Sequence, residues 1–315
     1  MTRDFQDSRL TERRNPRSAR LDACTAAELV ALQNAEDATV AAAVGATAPE
    51  LTRAVELVAD AFARGGRLLY VGAGTSGRLG VLDAAECPPT FRTPPEQVVG
   101  IIAGGARALL RAVEGAEDDV NAGIAGIDGE RVTSRDVVVG IAASGGTPFV
   151  RAALGRAQAL GARTVLVACT APPAVLRDTC DVCIVALTGP ELVTGSTRLK
   201  AGTATKLILN TLTTASLVLA GKTWGNLMVD LKATNVKLRD RAERIVMEAA
   251  ALDRASATAV LQAADGDVKT AIVMARLSLD PVAARAALVS SDGHLRPLLG
   301  DPPPVSAGDA HSETA

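Results

Sequence analysis

Gly72-Ala73-Gly74-Thr75-Ser76-Gly77-Arg78 is entered from Arg67-Leu68-Leu69-Tyr70-Val71, and this junction of strand and glycine-rich turn dictates the architecture. A short apolar, β-prone run passes directly into glycines and small hydroxyls, and the pattern beyond them is helical. The arrangement recurs where Val137-Val138-Val139-Gly140-Ile141 leads to Ala143-Ser144-Gly145-Gly146-Thr147-Pro148. Each loop is expected to present unpaired backbone N–H groups and hydroxyls at a helix N-terminus, a setting that favours an anion. Two such loops in one α/β unit predict a site for a small phosphorylated molecule.

On either side of these loops, β-rich runs at 67–71, 98–102, 136–141, 164–168 and 182–186 alternate with helices beginning near Ser76, Ala106, Pro148 and Pro173. Strands this apolar, separated by helices, imply an α/β fold: a five-stranded parallel sheet sandwiched by helices. Ligands in such sheets bind at the carboxyl ends of the strands, where both loops fall. Upstream, residues 1–20 read as a polar, loosely ordered arm. A helix is predicted over 25–44, capped by Asp22 or Thr25, and another over 51–64, closed by Gly65-Gly66. Downstream, 191–203 leads into a long apolar helix over 200–219. Helices at 237–251, 256–264, 268–277 and 281–289 form a small bundle, and the tail from Asp301 is expected to be disordered. The predicted division is an arm and helix over 1–50, the sheet domain over 51–222, a helical region over 223–300 and a tail over 301–315.

Composition narrows the function classes. The chain has 315 residues, 48% of them hydrophobic but only 2% aromatic, so its core must be built of Ala, Val, Leu and Ile. A net charge of −2 gives no general attraction to nucleic acid or to an anionic membrane. Residues 1–20 lack a signal-peptide pattern and no apolar run suits a membrane span, so a soluble cytoplasmic protein is expected. The five cysteines read as reduced thiols. Cys180-Asp181-Val182-Cys183 has redox-motif spacing but approaches a strand rather than opening a helix. His294 and His311 are the two histidines, so neither a zinc cluster nor a Ser-His-Asp triad is suggested, and no metal is expected.

Gly72, Gly74 and Gly77 have dinucleotide-fingerprint spacing, but that reading needs an acidic residue ending the next strand. The run at 98–102 ends instead in Ala103-Gly104-Gly105, which offers a third close backbone approach to a ligand. Acid–base chemistry must fall to Glu, Asp or Lys. Glu86 lies in Asp83-Ala84-Ala85-Glu86-Cys87-Pro88-Pro89-Thr90, where Pro88 is expected to end the helix. Glu114-Gly115-Ala116-Glu117-Asp118-Asp119 supplies a second acidic group. Two carboxyls converging on one pocket make an acid/base pair; from spacing alone, an acidic run is more often a solvated face.

The segment from Gly72 to Thr90 resembles the bacterial N-acetylmuramic acid 6-phosphate etherases, within the sugar isomerase (SIS) fold that binds phosphosugars. So do Ile101–Gly105, Glu114–Asp118, Gly140–Gly145, Val193–Thr203 and Gly225–Asp230. The resemblance spans about residues 10–299, with Ala85 standing where Ser is expected and Gly146 where a larger polar residue is frequent. It implies a lyase that removes the D-lactyl ether from carbon 3 of the sugar, in cell-wall sugar recycling, with no cofactor. It assigns Glu86 as the catalytic acid and Glu117 as the second carboxylate. Gly74, Thr75, Ser76, Gly104, Ser144, Gly145 and Thr147 would bind substrate, joined by Glu191, Ser196 and Lys200. It also implies a homodimer, for which the apolar helix over 200–219 would be suited. A non-catalytic phosphosugar sensor and a phosphosugar isomerase remain the alternatives.

Overall fold

The computed structural model describes residues 9–231, 233 and 235–305. The first eight residues of the predicted arm, and residues 306–315 of the predicted tail with His311, lie outside the described residues.

Three 3-10 turns between Leu10 and Ala23 precede α1 (Ala26–Asp37), α2 (Val40–Gly45) and α3 (Ala48–Ala63). Thr25 caps α1 in a capping box with Glu28, while Pro49 sits in the first turn of α3, where its missing N–H costs nothing. The helix expected over 25–44 is thus two helices. The arm is not loose where it is described: Thr11 and Asn15 are buried, and the Asn15 side-chain amide donates to Glu36 Oε2 at 2.9 Å. Asn15 and Arg17 both bond to Glu36 of α1 and so tie the arm to that helix.

The strands are β1 (Leu68–Gly72), β2 (Val98–Ile102), β3 (Val137–Ile141), β4 (Arg163–Ala168) and β5 (Val182–Val185). All pair in parallel, in the order β2-β1-β3-β4-β5, with Leu68 beside both Val98 and Val137. The connecting helices are α4 (Gly74–Phe91), α5 (Arg107–Leu110), α6 (Val120–Gly129), α7 (Pro148–Ala159) and α8 (Ala174–Thr179), and α9 (Lys200–Leu219) follows the sheet. On one face Leu69, Val71, Val138 and Leu166 pack with Ile127 of α6 and with Phe149, Ala153 and Leu154 of α7. On the other, the Tyr70 hydroxyl donates to Asp83 Oδ2 of α4 at 2.9 Å, and Asn210 of α9 donates to Asp83 Oδ1 at 2.6 Å. Ser216 of α9 donates to the Val55 carbonyl at 3.1 Å, which places α3 in the same layer.

Two expectations change. α4 continues through Pro88 and Pro89 to Phe91. The prolines forfeit two intrahelical bonds, but their fixed φ is helical, and Arg92 N resumes the ladder to Pro88 O at 3.0 Å. Much of the apolar character of α9 is used inside the chain, while Val218 and Leu219 at its end are exposed. Ile208, Leu209 and Leu212 are buried, while its exposed positions include Thr203, Lys206, Thr211 and Thr214.

The chain divides into two compact units, one of Met1–Glu86 with Pro94–Ser216 and one of Cys87–Thr93 with Leu217–Ala315. The second contains α10 (Val236–Ala250), α11 (Arg254–Ala263), α12 (Val268–Leu277), α13 (Pro281–Ser290) and α14 (Arg296–Leu299). Asn235, Asp253, Asp267 and Asp280 cap the first four of these helices, and Trp224, Val246, Ile272 and Val273 lie in the core. Among the described residues no helix is long and apolar enough to cross a membrane.

Candidate active site

β1 is the strand from which the chain steps one way to β2, while β3 steps the other way to β4. The loops after β1 and β3 therefore depart toward opposite layers, at the end of the sheet where such folds usually take a ligand. The first loop is tight. A Cβ on Gly77 would lie 2.5 Å from the Gly72 carbonyl oxygen, so α4 can start directly against the strand only with glycine there. Thr75 and Ser76 occupy its first turn, behind Gly74, and both are partly exposed.

In the second loop Gly145 has φ +74°, and a Cβ there would sit 2.9 Å from Pro172 Cα. Thr147 is the N-cap residue of α7 but makes no side-chain cap bond, so its hydroxyl is not consumed by the helix. The positive end of α7, with the N–H groups that follow Pro148, accompanies it. Gly104 and Gly105 follow β2, both with positive φ.

A cleft of about 550 Å³ opens beside the second loop, lined by Glu117, Asp118, Ser144, Gly146 and Thr147, the prolines 172 and 173, and Arg9. Of the acidic run, Asp119 is spent as the cap of α6, accepting from Ala122 N at 2.8 Å. Glu117 and Asp118 are left to face the cleft. The structure thus gathers Glu117, Ser144 and Thr147 around one space, with Gly145 buried behind them.

Glu86 is elsewhere. It is exposed and lines a separate hollow of about 180 Å³ with Leu82, Asp83, Lys206 and Asn210. It lies twelve residues beyond Gly74, about 18 Å of helix rise from the phosphate-type loop.

Glu191 and Lys200 are inside the protein. Glu191 accepts from Lys200 N at 3.0 Å and Ala201 N at 2.9 Å, seating the start of α9. Burial pushes its carboxyl up, and those bonds and the Lys200 charge recover only part of the shift. Lys200 Nζ lies 2.5 Å from Glu36 Oε2. Neither side chain lines the cleft. Ser196, partly exposed, sits in the turn before α9, and α9 approaches the first loop where a Cβ on Gly202 would lie 3.6 Å from the Thr75 methyl. Arg9 is the cleft residue that the sequence did not reveal, because nothing in a polar arm signals which residue returns to a site. No group of three or more His, Cys, Asp or Glu among the described residues is placed to hold a metal.

Residues 50–158 match the family model described as the glucokinase regulatory protein N-terminal SIS domain. The N-acetylmuramic acid 6-phosphate etherase of Aeromonas hydrophila is 52% identical over 272 residues, covering 86% of this chain and 91% of that protein. That of Rhodopirellula baltica is 51% identical over 292 residues, covering 93% of this chain and 96% of its own length. Among solved structures, a phosphoheptose isomerase from Neisseria gonorrhoeae aligns with a TM-score of 0.47 at 19% identity, over 61% of this chain and 98% of that one.

Proposed function

The chain belongs to the N-acetylmuramic acid 6-phosphate etherase family, and on that premise we propose that it cleaves the D-lactyl ether of N-acetylmuramic acid 6-phosphate. The products are N-acetylglucosamine 6-phosphate and D-lactate, in the cytoplasmic recycling of cell-wall sugar. The observation that carries the reading is identity above one half across nine-tenths of the Aeromonas protein's length. The cleft supports it, since a carboxylate stands beside hydroxyls at a helix N-terminus.

The chemistry needs only positioned acids and bases. In the open-chain sugar the aldehyde acidifies the hydrogen on carbon 2. Glu117, in the cleft, removes it; Glu86 protonates the departing lactate oxygen as the carbon 3–oxygen bond breaks. Water then adds to carbon 3 of the unsaturated aldehyde, and carbon 2 regains a proton. Thr75, Ser76, Ser144 and Thr147, with the turns at Gly74, Gly104 and Gly145, hold the 6-phosphate, which positions the reacting carbons. Ser196 borders that site, while Glu191 and Lys200 seat the helix behind it.

Glu86 and Glu117 line separate hollows of one chain. This supports a homodimer in which Glu86 of one protomer serves the cleft of its partner. The decisive assay is lactate release from N-acetylmuramic acid 6-phosphate by the purified full chain. A regulator that only binds phosphosugars, the reading that the matched SIS model raises, would release none.

A further inference from the structure

The arm that precedes α1 closes over the carboxyl ends of β4 and β5. Leu10 N donates to Thr170 Oγ1 at 3.0 Å, Gly195 N donates to the Thr11 carbonyl at 3.2 Å, and the Asn15 amide reaches the Pro190 carbonyl at 3.3 Å. The same Asn15 amide donates to Glu36, whose carboxylate is held by Lys200. Arg9 is therefore one residue from a fixed hydrogen bond, and Thr170, the acceptor, directly precedes the Ala171-Pro172-Pro173 wall of the cleft. These bonds hold the backbone beside Arg9 at the wall of the cleft.

We propose that Arg9 binds the lactyl carboxylate of the substrate, an inference that rests on the etherase reading above. The substrate carries two anionic groups. The phosphate has the hydroxyls of Ser144 and Thr147 and the positive end of α7. The carboxylate, on the lactyl group that leaves carbon 3, would otherwise meet Glu117 and Asp118, two groups of its own sign. Arg9 is the one cation among the described residues that line this cleft. Its planar guanidinium pairs with a carboxylate through two parallel hydrogen bonds, a geometry that reads the lactyl group and ignores sugar phosphates that lack it.

The test uses the full chain, with lactate release from N-acetylmuramic acid 6-phosphate and inhibition by N-acetylglucosamine 6-phosphate, which keeps the phosphate but has no lactyl group. Arg9→Ala is expected to raise KM about 10- to 100-fold, the worth of a charged hydrogen-bonded contact. The inhibition constant for N-acetylglucosamine 6-phosphate should change less than about two-fold, and Arg9→Lys should recover part of the loss because it restores charge without the fork. Should Arg9→Ala melt at a lower temperature, Arg9→Gln, which retains much of the side chain's packing, carries the comparison instead. A KM and an inhibition constant rising together would mean that Arg9 reads the phosphate, and an unchanged KM would mean that it reads neither group; each overturns the proposal. A wild-type chain that releases no lactate overturns the etherase reading and this one with it.

Discussion

Lys200 Nζ meets Glu36 Oε2 at 2.5 Å, with each side chain 4% exposed, across 164 residues of sequence. The pair ties α9 to α1, and Asn15 and Arg17 of the arm join it on the Glu36 side. Removing one partner of a buried ion pair strands the other. Lys200→Met is expected to cost about 3–5 kcal/mol of folding stability, read by urea denaturation, toward the lower end because Asn15 and Arg17 remain.

The same cluster has a pH signature. Burial alone would raise the Glu36 carboxyl, but its bonds to Lys200 and Asn15 and the charge of Arg17 outweigh that and hold it below its ordinary value of 4.5. A depressed folded pKa gives stability that is present above the unfolded value and lost as pH falls through the folded one. Glu36→Gln should therefore flatten the stability profile below about pH 4.5, relative to the wild type. An unchanged acid limb would assign the loss to Asp136 and Asp181, whose carboxyls burial raises but bonds with Arg67 and Thr164 respectively, among others, bring net low.

Glu86→Gln and Glu117→Gln should each lower lactate release at least about 100-fold while leaving the fold intact. Mixed and re-equilibrated, the two inactive variants should recover about a quarter of wild-type activity, because half of the dimers are mixed and one site in each is whole. Persistent inactivity of the mixture, with dimers verified by light scattering, would confine both roles to one chain.

Ser144→Ala should weaken binding of N-acetylglucosamine 6-phosphate by about 1.5–3 kcal/mol in calorimetry, the value of a hydrogen bond to a charged group. N-acetylglucosamine without the phosphate should bind poorly to the wild type and no worse to the variant. Equal affinity of the wild type for both sugars would place the phosphate away from this loop.

The elimination route leaves its mark on the product. Sugar made in heavy water should carry deuterium on carbon 2, and sugar made in oxygen-18 water should carry the label on carbon 3. Mass spectrometry that finds neither label would exclude elimination and hydration even where lactate is released.

The alternation of strands and helices was legible because it is written locally: Leu68 to Val71 is apolar without a break, and Gly72 to Gly77 has the residues that a tight strand–helix turn requires. The helices after Asn235 were legible through their Asn and Asp caps. The capping role of Asp119, which separates it from Glu117 and Asp118, depended on where α6 begins. The roles of Asn15, Glu36 and Lys200 were not readable, because they are defined by partners far apart in the chain. That Glu191 seats the start of α9 was hidden for the same reason, since the backbone groups it accepts from, Lys200 N and Ala201 N, are nine and ten residues on. Pro88 misled because a proline costs a helix a hydrogen bond without always ending it: α4 runs on to Phe91, with Arg92 N bonded to Pro88 O.

The strand order has a consequence for how the chain is made. β1 takes β2 on one edge and β3 on the other, and Leu68 must wait 69 residues for Val137, its second neighbour. At ribosomal speed that interval is roughly 3–14 s, during which one edge of β1 presents unpaired N–H and C=O groups. Such an edge is a template for pairing with the wrong strand, including the same strand of another nascent chain. The long exposure of the β1 edge thus ends when β3 leaves the ribosome, and substitutions in β3 should reduce the yield of folded chain more than their effect on finished stability would suggest.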